Sequence, residues 1–157
     1  MSWMAVRNRL PTKDRLREWG ILMDSRCVLC QSTEETRDHL FFGCPYPQGI
    51  WRKILKLCNL DRRVMSWENE LRWAEKRAKG RAMISLLLRV AWSAFIYNIW
   101  QERNTRIFAH AEKTEEQILN YIRETVRCRL TKLRNVKKDH VNMSLHREWN
   151  LDDSMFS

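Results

Sequence analysis

Apolar residues recur three and four positions apart along most of this chain, the period of helices that bury one face. In LPTKDRLREWG, Leu16 and Trp19 share a face, Thr12 stands where an N-cap belongs and Gly20 where a helix stops. TRDHLFFGC predicts a short helix from near Thr36, with Leu40, Phe41 or Phe42 packed beneath and Cys44 at a glycine-mediated turn. Pro47 then suits an early position of the next helix, QGIWRKILKLC. There Ile50, Ile54 and Leu57 lie on one side with Trp51, Leu55 and Cys58 beside them, while Arg52, Lys53 and Lys56 face outward.

Beyond a polar connector at 60–66, Ser66 stands at the N-cap of WENELRWAEKRAKG, where Trp67, Leu71 and Ala74 hold helical spacing. The run from Ala82 to Trp100 carries one charge, Arg89, and is about as long as a bilayer is thick. Arg89 near its middle, with Ser85, Ser93 and Asn98, weighs against insertion. The pattern continues into QERNTRIF, so a buried helix to about residue 108 is the expectation. In TEEQILNYIRETVRCRLTKLRNVKK, Thr114 with Gln117 forms a capping box, and Ile118, Ile122, Val126 and Leu130 step by four. Residues past Asp139 show no clear period and are expected to fray. The implied fold is mostly α: a small N-terminal module at 1–59 in which Cys27, Cys30, His39 and Cys44 stand close enough in sequence to hold a stabilising zinc, a bundle of three or so helices at 60–138, and a polar tail at 139–157.

Zinc enters through CVLCQSTEETRDHLFFGC. Cys27, Cys30, His39 and Cys44 read Cys-x2-Cys-x8-His-x4-Cys, three thiols and an imidazole. That is the ligand count of a closed tetrahedral site, which leaves no position for a reactive water. Cysteines also fill cores, and that reading suits Cys58 and Cys128, which stand alone in helical sequence. It suits the cluster poorly, because the spacer QSTEETRD is polar. A disulfide framework fits badly too, since the cysteine count is five and no apolar leader precedes it. A reducing, intracellular setting, with the nucleus as one candidate compartment, is the expectation.

Charge points to a partner. The net charge is +10, from 29 Lys+Arg against 19 Asp+Glu. Such a field attracts polyanions, nucleic acid before membrane. Arg7, Arg9, Lys13, Arg15 and Arg17 cluster before the cysteines, and a second basic stretch spans 123–138. With Arg52 and Lys53 of the following helix, the first group is the expected phosphate-contacting set, although solvated helix faces would look the same. Eight tryptophans are spread along the chain, where core packing is a commoner use than stacking on bases. No Gly-rich phosphate loop, nucleophile elbow or paired catalytic carboxylates can be assembled, so an enzyme is not expected.

RLPTKDRLREWGI, CVLCQSTEETRDHLFFGCPYPQGIW and the tryptophan-rich helix ending IWQERNTRIF together resemble the zinc-binding region downstream of the polymerase in plant non-LTR (LINE-type) retrotransposon reverse transcriptases. The resemblance covers about residues 3–130. It implies zinc on Cys27, Cys30, His39 and Cys44, and a basic lead-in helix that includes Arg9, Pro11, Thr12 and Arg15. It also implies a grip on an RNA template or DNA target, with a polymerase or other protein as an alternative partner. The endonuclease and polymerase domains of the larger polyproteins are not in this sequence, which gives the expectation of a stand-alone fragment. Two further readings stay open: a helical protein-interaction piece, and a relic reading frame.

Overall fold

A computed structural model describes residues 1–157. Seven α-helices carry the chain: α1 (Ser2–Val6), α2 (Lys13–Glu18), α3 (Pro45–Leu57), α4 (Trp67–Ala78), α5 (Met83–Phe108), α6 (Glu115–Leu130) and α7 (His140–Trp149). The cysteine- and histidine-bearing segment lies between α2 and α3, and the one sheet-like pairing is an antiparallel bridge between Arg26 and Glu34.

The long helix α5 is the central post, and α4, α6 and α3 pack around it. It is apolar enough to cross a membrane by length and composition, yet 61% of its most apolar window is buried inside the protein. Leu87, Ala91, Phe95, Ile96 and Ile99 are fully enclosed. An all-round apolar helix is what a central position requires.

Local signals set some of the boundaries. Gly20 has φ +73, the left-handed conformation expected of a helix-stopping glycine. Thr114 accepts from Gln117 N–H while the Gln117 side chain accepts from Thr114 N–H, a complete capping box on α6. Ser66 occupies the N-cap of α4, but its hydroxyl takes no capping hydrogen bond. The Glu70 carboxylate instead accepts from Met65 N–H just ahead of the helix, at 2.7 Å.

Residues 139–157 do not fray, which corrects the expectation for the tail. Asp139 caps α7 by accepting from Asn142 N–H at 2.9 Å, and Leu145, Trp149, Leu151 and Met155 are buried. Trp149 Nε1 donates to the Leu57 carbonyl at 3.0 Å, locking α7 onto the end of α3. Backbone bonds from Asn135 to Ser157 and from Val136 to Met155 fasten the C-terminus to the α6–α7 connector. A helix of ten residues shows too few turns for its period to stand out.

One core of 33 buried residues runs from Ala5 to Met155, so the metal segment and the helices share an interior. Its densest part is aromatic: Phe41, Phe42, Trp51, Trp67, Trp92 and Phe95 pack ring against ring, mostly tilted, with centroids from 5.0 Å (Trp51–Phe95) to 5.9 Å (Trp67–Trp92). Five tryptophans (Trp51, Trp67, Trp92, Trp100 and Trp149) are buried and Trp73 is half-buried; Trp3 and Trp19 are exposed.

Candidate metal centre

The first two thiols come from a tight knuckle. Cys27 N–H donates to the Thr33 carbonyl and Gln31 N–H to the Cys27 carbonyl, at 2.7 and 2.8 Å. Gln31 sits at φ +59, the left-handed residue that lets the loop close. Backbone N–H groups of Leu29 and Cys30 point at the Cys27 sulfur, and those of Ser32 and Thr33 at the Cys30 sulfur. Hydrogen bonds of this kind stabilise thiolate, the form a metal needs.

The other two ligands come from a π turn, His39–Gly43, where Cys44 N–H donates to the His39 carbonyl at 2.6 Å. The wide turn solves a geometric problem: Leu40, Phe41 and Phe42 are all buried while His39 still faces the thiols. The sequence suggested a glycine turn before Cys44, and the π turn replaces it. Gly43 serves a different end, because a Cβ there would lie 3.3 Å from His39 Nδ1 and crowd the ring. Cys44 is the N-cap of α3, and the Tyr46 N–H points at its sulfur. Thiolate at a helix N-terminus is favoured by the dipole.

The ligand atoms of Cys27, Cys30, His39 and Cys44 lie within 4.8 Å of one another. His39 presents Nε2, 3.3 Å from the Cys30 sulfur. In tetrahedral zinc, with bonds of about 2.0–2.3 Å, ligand atoms stand roughly 3.5–3.8 Å apart. Small movements therefore bring all four onto one ion, and the donor set suits Zn²⁺.

The thiols are tuned unequally. A hydrogen bond from Cys44 holds the Cys27 thiol down to about 6, against the opposing effect of burial. The same bond, aided by burial, pushes Cys44 far above the usual thiol range, so the pair shares one proton that a metal would displace. Burial raises Cys30, but the Ser32 hydroxyl, the Ser32 and Thr33 N–H groups and His39 outweigh it and the net shift is downward. Outside the cluster, burial pushes Cys58 up to about 12. Cys128 lies exposed on α6.

Two arginines of α5 hold the metal segment in place. Arg103 pairs with Glu35, in the spacer between Cys30 and His39, at 2.7 Å with both side chains buried. Arg103 also donates to the Pro11 carbonyl, and Glu35 accepts from Lys13 N–H at the start of α2. Arg106 lies 4.6 Å above the Tyr46 ring and donates to the Leu29 carbonyl inside the knuckle. Nothing in the spacing marked these residues, since Glu35 reads as one more acid in a polar spacer.

The basic residues picked from the sequence fall in two places. Arg7, Arg9, Lys13, Arg15 and Arg17 lie along the lead-in through α1 and α2, whereas Arg52 and Lys53 are on α3. Several are engaged. Lys13 Nζ donates to the Arg26 carbonyl, Arg17 pairs with Glu34, and Lys53 reaches Glu115 and Glu116 at 3.5 Å. Arg15 donates to the Asn8 carbonyl. Arg7, Arg9 and Arg52 are exposed and have no ion-pair partner.

A family model described as zinc-binding in reverse transcriptase matches residues 1–51. The match contains all four clustered ligands and ends inside α3. Residues 1–51 thus match a zinc-binding region of reverse transcriptases, and within the match Cys27, Cys30, His39 and Cys44 form a donor set that fits structural zinc. No curated protein matches the chain, and no solved structure does.

Proposed function

We propose that this protein is a non-catalytic, zinc-stabilised nucleic-acid-binding module derived from a retroelement reverse transcriptase. The observation that carries this reading is the four-ligand cluster within a segment matching a reverse-transcriptase zinc-binding family. Four protein ligands complete a tetrahedron and leave no site for an activated water, which favours a structural ion. Zinc then fixes the knuckle and the π turn, which hold the basic lead-in against α5.

Nucleic acid is the partner favoured by the charge of +10 and by Arg7, Arg9 and Arg52, which no carboxylate neutralises. Contacts of this type read phosphates, so binding is weakly sequence-specific and strongly salt-dependent. Anisotropy titrations of zinc-loaded protein with labelled RNA and DNA test it. Log affinity should fall with log salt by about 0.7–0.9 per phosphate contacted. A flat dependence between low and moderate salt contradicts the reading. A helical protein-interaction module is the second reading, favoured by the exposed apolar side chains of the N-terminal segment.

A further inference from the structure

Large exposed apolar side chains concentrate at one end of the chain. Trp3, Met4, Val6, Trp19, Ile21 and Met23 are all exposed, with Trp3 at 59% and Trp19 at 54% of full accessibility. Every other tryptophan is buried or half-buried. Leaving two indoles in water forgoes the burial that aromatic residues ordinarily provide.

Arginines are interleaved with these indoles. The Arg7 and Arg9 guanidinium groups lie 5.7 and 5.4 Å from the centre of the Trp3 ring. Arg15 lies 5.2 Å over the Trp19 ring and donates to the Asn8 carbonyl, joining α1 to α2. A strip thus runs from Trp3 through Arg9, Asn8 and Arg15 to Trp19. Of the nearby acids, Glu34 pairs with Arg17, while Asp14 accepts from the Thr12 hydroxyl and keeps its charge. Glu18 is exposed beside Trp19. Arg7 and Arg9 have no counter-anion.

A surface of π faces set among unneutralised guanidinium groups matches a ligand that is both flat and anionic. Unpaired nucleotides have that chemistry, since each offers a free base face and a phosphate. Duplex offers phosphates but keeps its base faces stacked inside. An apolar protein partner would account for the indoles and leave the arginines unexplained.

We propose that the strip from Trp3 to Trp19 is a stacking platform for single-stranded nucleic acid, with unpaired bases on the two indoles and backbone phosphates on Arg7 and Arg9. This rests on the nucleic-acid-binding reading and adds to it a strand preference and a location.

The test uses full-length, zinc-loaded protein, a labelled 12-nucleotide oligouridylate and a blunt duplex of equal length. Trp3→Ala/Trp19→Ala should weaken oligouridylate binding roughly tenfold or more while duplex binding changes less than about twofold. Its salt slope should match wild type, because no phosphate contact is lost. Arg7→Ala/Arg9→Ala should instead lower the slope by about 1.4–1.8. Both tryptophans are exposed, so the melting temperature should hold, and Trp3→Phe/Trp19→Phe should keep most of the single-strand affinity. Unchanged oligouridylate binding in the Trp-to-Ala variant, or equal losses for both ligands, overturns the platform and leaves the broader reading standing. Failure of wild type to bind either ligand overturns both. Wild-type self-association that the Trp-to-Ala variant abolishes, with nucleic-acid binding intact, would make the strip a protein-docking face and likewise overturn the proposal.

Discussion

Glu35 and Arg103 stand 68 residues apart in sequence and meet as a buried ion pair, with Arg103 Nη2 2.7 Å from Glu35 Oε1 and Nε 3.1 Å from the same oxygen. Glu35 belongs to the loop between the second and third metal ligands, and Arg103 to the central helix. The pair therefore ties the zinc segment to the hydrophobic core. Pro11 O and Lys13 N–H complete it, which brings the basic lead-in into the same junction.

Removing one member strands a buried charge. Arg103→Met should destabilise the zinc-loaded protein by about 3–5 kcal/mol, whereas Arg103→Met/Glu35→Leu should cost clearly less than the sum of the single changes. Denaturant unfolding of the four proteins checks this. Additive losses would mean the two side chains do not act as a pair.

The C-terminal segment should behave as core. Trp149→Ala should cost about 3–5 kcal/mol, because the indole is fully buried and donates to Leu57 O. A chain ending at residue 139 should melt well below the full protein. Equal melting temperatures would restore the frayed tail expected from the sequence.

Two helix starts with similar sequence signals should respond differently. Thr114→Ala should cost about 1 kcal/mol, since its hydroxyl accepts from Gln117 N–H. Ser66→Ala should be nearly neutral, because that hydroxyl makes no capping bond. Thermal or denaturant melts of the two variants separate these outcomes.

Much of this architecture was legible from periodicity and breakers. α3, α5 and α6 follow apolar spacing over three or more turns, and Gly20 and Thr114 act where their chemistry says they should. The four ligands were legible because metal chemistry restricts residue type and spacing together. What escaped was tertiary. Glu35, Glu70 and Glu102 are buried acids, each paired with an arginine and accepting a backbone N–H from another segment; only Glu102 has its arginine, Arg106, at helical i,i+4 spacing. Only the fold shows that these charges are compensated. The π turn was hidden for a related reason: three consecutive buried residues, Leu40 to Phe42, fit neither an α-helical nor a strand period.

Thiol reactivity should sort the five cysteines. With zinc bound, iodoacetamide at pH 8 should label the exposed Cys128 first and leave Cys58 untouched. Cys58 is pushed from an ordinary 9.0 to about 12 by burial, so its contribution to stability is fully present below pH 9 and is lost as pH rises toward 12. Chelation should add Cys30, the least buried thiol of the cluster, to the labelled set. Peptide mapping by mass spectrometry reads each site, and early labelling of Cys58 would contradict its burial.

Metal content of the purified protein tests the central claim most directly, measured on wild type beside Cys30→Ser and Cys58→Ala. The account predicts about one zinc per chain in wild type and in Cys58→Ala, and loss of tightly held zinc in Cys30→Ser with a lower melting temperature. Zinc retained in full by Cys30→Ser, or absent from wild type refolded with excess zinc under reducing conditions, would contradict it.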